Sequence, residues 1–364
     1  MAQLFSQTII SGVGLLGGAV GLASKRSDVA GRIVGLGRSE SKLSQALRQG
    51  AIDVYATSLR DALGFVESAA SETNPAPVLI VFCAPVDANL RALEEFWRTI
   101  REPWFPRRRY VVSDVGSVKS GFSRLAEELA SSADLPDGVR VDFVPAHPMA
   151  GSDKSGSAYS TADLFDRKLA ILTPWLTESE RRDALATGEA APFEPPRELE
   201  NDPTWDWINR RMALVTSSSE GVDSVLSRLS TRVATDERDA TVLVREFWRR
   251  LGCFVVETSA EEHDQFLARA SHLPHLLAAL ATSVEPLDEF LFTGTGFRDV
   301  TRLAGGNPDV WTEIFGTNRL AMLDAIERFE TNLSRWKTFL AEDDRESILT
   351  FLQETKKKRD ALGS

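Results

Sequence analysis

The chain has 364 residues, 43% of them hydrophobic, which is too long for one ordinary compact core and apolar enough to bury two. A formal net charge of -11 excludes a general nucleic-acid binder, and the short basic clusters Arg107 to Arg109 and Lys356 to Arg359 read as solvated surface. The cysteines Cys83 and Cys253 lack CxxC or metal-ligand spacing, no apolar run reaches the roughly 20 residues of a membrane span, and the N-terminus lacks signal-peptide character, so a reducing cytoplasm is expected.

Gln7 to Ser11 reads as a β-strand, followed at once by Gly12-Val13-Gly14-Leu15-Leu16-Gly17-Gly18 and an Ala/Leu-rich segment to about Lys25. The apolar run Arg32 to Leu36 completes a βαβ unit and predicts a parallel pair with a right-handed crossover. Further strands are expected at Val78 to Cys83, Tyr110 to Ser113, Val141 to Val144 and Leu169 to Leu172, where β-branched or aromatic runs lie between helical or turn-rich stretches. Residues 1–176 are therefore expected to form a doubly wound α/β domain of the Rossmann type.

Residues 177–235 are rich in Glu, Pro, Ser and Thr, with Pro192, Pro195, Pro196, Pro203 and the run Ser217 to Ser219. They read as an insertion, partly loop or disordered, in which Trp205, Trp207 and Ile208 could anchor a short helix. Residues 236–364 are expected to form the second domain. Its helical part starts near 260, where Phe266, Leu267, Ala270, Leu273, Leu276, Leu277 and Leu280 recur at helical spacing. No internal repeat is found.

Glycines at the spacing GxGxxG are a weak signal alone, but Gly12, Gly14 and Gly17 sit where a dinucleotide needs them, between a strand and a helix. Gly12 permits the tight turn, Gly14 lets the pyrophosphate approach the backbone, and Gly17 allows close helix packing. The helix N-terminus supplies N–H groups and the positive end of a dipole. An NAD-specific strand end usually presents Asp or Glu to the ribose, whereas this chain has Leu36-Gly37-Arg38-Ser39. A small residue followed by a cation and a hydroxyl suits a 2′-phosphate, so NADP is expected over NAD, which stays possible.

The four histidines are His147, His263, His272 and His275. A lone histidine is more often structural than chemical, but three within thirteen residues beside an apolar helical stripe are harder to dismiss. A metal site is rejected: Pro274 separates His272 from His275, no HExxH or carboxylate cluster accompanies them, and a spacing of three is weak by itself.

Six blocks in register carry a family resemblance. They are the glycine turn; Ser113-Asp114-Val115-Gly116-Ser117-Val118-Lys119; His147-Pro148-Met149-Ala150-Gly151; His263-Asp264; Ser271-His272-Leu273-Pro274-His275; and Gly296-Phe297-Arg298-Asp299-Val300-Thr301-Arg302 leading to Trp311. Over nearly the whole chain apart from the insertion, these residues resemble the prephenate/arogenate dehydrogenase family. The resemblance implies an NAD(P)-dependent oxidative decarboxylation of a cyclohexadienol in tyrosine biosynthesis and a homodimer formed through the helical domain.

By that resemblance Ser117 and His147 contact the reacting hydroxyl, with His147 as acceptor and general base, a task suited to an imidazole of pKa about 6.5. Arg302 matches the family's carboxylate-binding arginine, with Arg298 assisting, and Asp299 orients Arg302 or meets the substrate chain. His275 contributes to the substrate pocket, and Lys119 lies near the cofactor or the pocket entrance, although for Lys119, Arg298 and Asp299 a structural ion pair is an equal reading. Leu15 and Leu16 in the turn, and Ala84 and Pro85 after the strand at Val78 to Cys83, are counted with the cofactor contacts. His263 and His272 read as structural, capping or orienting helices.

The chain departs from the pattern at Ser152-Asp153, where the family often has Thr-Glu or Ser-Glu, and in the insertion. Neither a fused chorismate mutase nor an ACT domain is expected. Two other readings remain open: a β-hydroxyacid or imine reductase of the Rossmann-plus-helical type, which relies on a catalytic lysine and does not call for the HPMAG and SHLPH blocks, and a non-catalytic NADP-binding sensor.

Overall fold

The computed structural model describes residues 3–66, 76–132, 134–151, 154, 156–194, 228–233 and 239–361. From the N-terminus, β1 (Gln7–Ser11), α1 (Leu15–Arg26), β2 (Ile33–Leu36), α2 (Glu40–Arg48), β3 (Val54–Ala56) and α3 (Leu59–Gly64) follow one another. They continue as β4 (Val78–Phe82), α4 (Val86–Thr99), β5 (Arg109–Asp114), α5 (Ser120–Ser131) and β6 (Arg140–Phe143). The six strands form one parallel sheet of order β3-β2-β1-β4-β5-β6.

A parallel sheet covered on both faces needs strands that are apolar on both sides, which is why the predicted runs are continuous rather than alternating. Every residue of β4 is buried. Leu79 and Val81 join Ile10 and Val111 in one core, while Val78, Ile80 and Phe82 join Ile9 and Val112 in the other. The strand order reverses between β1 and β4, and the carboxyl ends of strands at such a switch point are where α/β sheets bind ligands.

A second sheet of three strands was only partly expected. β7 (Ala146–Pro148) pairs antiparallel with β8 (Leu169–Trp175), with His147 opposite Ile171, and β11 (Phe254–Ser259) lies parallel to β8 on its other side. β7 has three residues and contains a proline, which confines it to a sheet edge and hides it from any reading by periodicity.

The start of the expected insertion is regular. α6 (Glu178–Thr187) opens with a capping box: Thr177 Oγ1 accepts from Glu180 N at 3.2 Å, and Glu180 Oε2 accepts from Thr177 N at 2.8 Å. It stops at Gly188 in the left-handed region, φ 79°. β9 (Ala190–Pro192) then pairs with β10 (Ser230–Arg232). Pro195, Pro196, Pro203, Trp205, Trp207, Ile208 and Ser217 to Ser219 lie outside the described residues.

α7 (Ala240–Arg250) begins at Asp239, whose Oδ1 accepts from Thr241 N at 2.8 Å, and buries Leu243, Val244, Phe247 and Trp248 in the same core as Ile10 and Val20. The chain divides into two compact units. One comprises Met1–Ala191, Ser230–His263 and Asp309–Thr317; the other comprises Pro192–Leu229, Asp264–Pro308 and Asn318–Ser364. Residues 239–259, expected with the helical half, thus lie in the nucleotide-fold unit, because β11 pairs with β8 and α7 fills its core.

From α8 (Ala260–Leu267) onward the described residues are helical: a π turn (Ala268–His272), α9 (Leu273–Ser283), α10 (Thr295–Thr301), α11 (Pro308–Thr317), α12 (Arg319–Ala341) and α13 (Arg345–Ala361). The π turn has a local cause in Pro274, which has no N–H to give to the preceding turn and whose ring crowds the carbonyl four residues back. Among the described residues no helix is long and apolar enough to cross a membrane.

Candidate active site

The glycine turn has the geometry its sequence implies. Gly12 adopts φ 97°, and a Cβ there would meet Ala84 N at 2.9 Å, so only glycine lets the β1 turn pass against the end of β4. A Cβ on Gly17 would collide with the Gly12 carbonyl oxygen, which makes Gly17 the contact that seats α1 on the turn. At Gly14, the N-cap of α1, a Cβ would meet nothing within 4 Å. The space beside Gly14 is open, no side chain caps α1, and its first turn holds no acidic residue. An open, uncapped helix start of this kind suits the pyrophosphate of a dinucleotide, which N–H groups at a positive dipole end could hold.

Around the cradle, Leu15 and Leu16 are half-buried in the first turn of α1, Ala84 is half-buried and Pro85 is the exposed N-cap of α4. Ala84 N donates to Asn89 Oδ1 at 3.0 Å, which fixes the loop after β4. Arg38 is exposed just beyond β2 and forms no ion pair among the described residues, and Ser39 shares a 3.2 Å hydrogen bond with Ser41. Positions 36–39 hold no carboxylate, and there Arg38 and Ser39 offer a cation and a hydroxyl; the next acid, Glu40, opens α2 and accepts from Tyr55 at 3.2 Å.

A buried ionic clamp joins β5 to β7. Lys119, with no solvent exposure, donates from Nζ to Asp114 Oδ2 and to the Ala146 carbonyl at 2.8 Å. Asp114 accepts from Gly116 N at 2.9 Å and from Ala146 N at 3.3 Å. Burial pushes the Asp114 carboxyl above its ordinary range, against the pull of Lys119 and the two backbone donors. Lys119 is therefore not at a pocket entrance: its charge is spent inside the protein, holding the Ser117 loop next to the strand that carries His147. Ser117 lies in that loop, half-buried.

His147, 8% exposed, has its Nδ1 2.9 Å from Nε2 of His263, which is fully buried. The two rings stand edge to face with centroids 5.1 Å apart. The expectation that His263 only caps or orients a helix missed this pairing. The available signal was its position in the first turn of a helix that starts directly from β11, at the carboxyl end of a strand.

The remaining expected residues belong to the helical unit. His275 Nδ1 lies 3.1 Å from the Leu303 carbonyl, and a carbonyl only accepts, so His275 carries a proton on Nδ1. Burial lowers the His275 pKa below the ordinary imidazole value, opposed by the bond to Leu303 and helped by Arg302 nearby. Arg302 opens a 3₁₀ turn (Arg302–Gly305), and Arg298, Asp299 and Arg302 are all exposed. Asp299 makes no hydrogen bond or ion pair with Arg302, so the proposed orienting contact is not formed. His272, buried at the end of the π turn, accepts at Nδ1 from Asn318 Nδ2 at 3.1 Å, and the same amide donates to the Asp264 carbonyl at 2.8 Å. These bonds orient the His272 ring. Ser152 and Asp153 lie outside the described residues.

Comparison with known proteins gives the family. The nucleotide-binding domain of prephenate dehydrogenase matches residues 20–187, and the prephenate dehydrogenase dimerization domain matches residues 259–354. Prephenate dehydrogenase of Bacillus subtilis (strain 168) is 26% identical over 368 residues, covering 100% of this chain and 77% of that protein. Cyclohexadienyl dehydrogenase of Zymomonas mobilis is 23% identical over 368 residues, covering 99% of this chain and 97% of that protein. The crystal structure of prephenate dehydrogenase from A. aeolicus in complex with hydroxyphenyl propionate and NAD+ aligns with a TM-score of 0.68 at 25% identity, covering 99% of this chain and 98% of that one. The chain belongs to the prephenate dehydrogenase family and is an NAD(P)-dependent, decarboxylating dehydrogenase of the prephenate/arogenate type.

Proposed function

We propose that the chain uses NADP in preference to NAD, that His147 is its general base with Ser117 beside it, and that it works as a homodimer in the cytoplasm, in tyrosine biosynthesis. The observation that carries the base assignment is His147 itself, nearly buried on an edge strand of the unit that holds the glycine cradle, with Nδ1 engaged by His263. Bound NAD(P) supplies the hydride acceptor. His147 takes the proton of the substrate hydroxyl, Ser117 shares that hydroxyl as a hydrogen-bond partner, and the ring becomes aromatic when its carboxylate leaves as carbon dioxide.

Arg302 is assigned to a substrate carboxylate, which its guanidinium can hold with two parallel N–H donors, and Arg298, Asp299 and His275 to the substrate side chain. The NADP preference rests on Arg38 and Ser39 and on the missing acid at the end of β2. The homodimer rests on exposed apolar side chains of the helical unit, among them Leu287, Leu291, Phe292 and Leu320, within the segment matched by the dimerization domain.

The test is the appearance of reduced nicotinamide with prephenate and arogenate, each crossed with NADP and NAD. Turnover with one substrate and faster turnover with NADP is the expected result. Equal rates with both cofactors would overturn the preference, and no turnover in all four pairs would overturn the reading as a whole.

A further inference from the structure

We infer that His263 is the positioning residue that fixes the tautomer of His147. The inference rests on the assignment of His147 as the base. A contact of 2.9 Å between two ring nitrogens is a hydrogen bond, and one of the two must carry the proton. If His263 Nε2 donated, His147 would have its proton on Nε2 and its lone pair turned to His263, and could not accept a substrate proton without breaking the pair. If His147 Nδ1 donates, its lone pair is on Nε2. When that nitrogen takes the hydroxyl proton, the bond to His263 is kept and becomes charge-assisted, because His263 Nε2 still accepts. With both rings cationic no lone pair would be left for this bond, so when His147 is the cation His263 Nε2 is the acceptor.

The surroundings fix where His263 sits. β11 ends at Ser259 and α8 starts at Ala260, so His263 sits one turn into a helix anchored by a strand. Ser259 Oγ accepts from Glu262 N at 3.2 Å, Glu261 N donates to the Leu176 carbonyl at 3.2 Å, and Arg181 Nε lies 3.2 Å from Glu262 Oε2. On the other side, the Lys119–Ala146 bond fixes the strand residue before His147. His263 thus performs the orienting task that a carboxylate performs in hydrolase triads, but without a negative charge, which limits how strongly it can hold a cation.

The test uses the 364-residue chain labelled with ¹⁵N in its four histidine rings, assigned with single substitutions, together with His263→Leu and His263→Gln. In the free protein His147 is expected to show a protonated Nδ1 and an unprotonated Nε2; the reverse overturns the proposal. His263→Leu should lower kcat about a hundredfold with the substrate KM within about threefold, and should move the acid limb of the pH profile to lower pH, since the cation loses its acceptor. His263→Gln, whose side-chain oxygen can accept in place of Nε2, should recover most of kcat. If both variants lose activity alike with an unmoved acid limb, His263 is only a packing residue. The ring spectrum needs no substrate, so it decides the tautomer even if no cyclohexadienol is turned over.

Discussion

Lys119 Nζ donates to the carbonyl oxygen of Ala146, 27 residues away in sequence, while its charge is paired with Asp114. The two ends of this contact belong to the loop that carries Ser117 and to the strand that carries His147, so the clamp sets the spacing of the two groups assigned to the reacting hydroxyl. Removing one partner of a buried ion pair leaves the other charge unpaired. Lys119→Met should therefore cost about 3–5 kcal/mol in urea unfolding. The double variant with Asp114→Asn should recover part of that loss; a double variant no more stable than Lys119→Met contradicts the clamp.

The glycines of the turn separate folding from cofactor binding. Gly17→Ala drives a methyl into the Gly12 carbonyl and should destabilise the protein, whereas Gly14→Ala meets no protein atom and should leave the melting temperature unchanged. Its methyl occupies the open cradle, so the Kd for NADP should rise by about tenfold or more. Calorimetric titration checks this, and an unchanged Kd would mean that the pyrophosphate does not lie against Gly14.

Glu262 and Glu178 form a carboxyl pair beside His263, and their pKa values are pushed apart. Burial, helped by the hydrogen bond to Glu178, raises Glu262 to about 7. Glu178, although burial raises it, is pulled down to about 2 by its hydrogen bond to Glu262 and by Arg182 and Arg181. Below the unfolded carboxyl pKa of about 4.5 Glu262 is protonated in both states, and as pH rises to about 7 only the unfolded state ionises, so its contribution to stability falls across that window. Glu178 acts oppositely, losing its contribution as pH falls from about 4.5 to about 2. Glu262→Gln keeps an acceptor for Thr258 and Ser259 and can donate to Glu178. Between pH 5 and pH 7.5 the unaltered protein should lose more stability than Glu262→Gln. Parallel profiles would show that Glu262 is ionised in the fold throughout.

Arg302 is exposed and Asp299 does not hold it, so Arg302→Ala should leave thermal stability within about 0.5 kcal/mol. Its effect should fall on the substrate, with KM raised by about tenfold or more while the Kd of NADP stays unchanged. An unchanged KM removes the carboxylate assignment.

The nucleotide half was legible because a doubly buried parallel strand advertises itself as an apolar run and the glycine spacing is a direct consequence of backbone approach. β7 was not legible, since Ala146-His147-Pro148 is too short for any period to show. The helix from Glu178 was hidden by its polar composition, although Thr177 and Glu180 carried the capping-box spacing. His263 escaped because its partner lies 116 residues away, and pairing across that separation exists only in the fold. For Lys119 two readings stood side by side, and the structure shows the ion pair, with Asp114; that Ala146 encloses it as well exists only in the fold.

The most direct test of the central claim is the steady-state and binding analysis of His147→Asn. NADP should bind with unchanged Kd, the substrate KM should change little, and kcat should fall by about a hundredfold or more, because the proton acceptor is gone. A variant that keeps its kcat, or one that loses NADP binding instead, would contradict the assignment of His147 as the base.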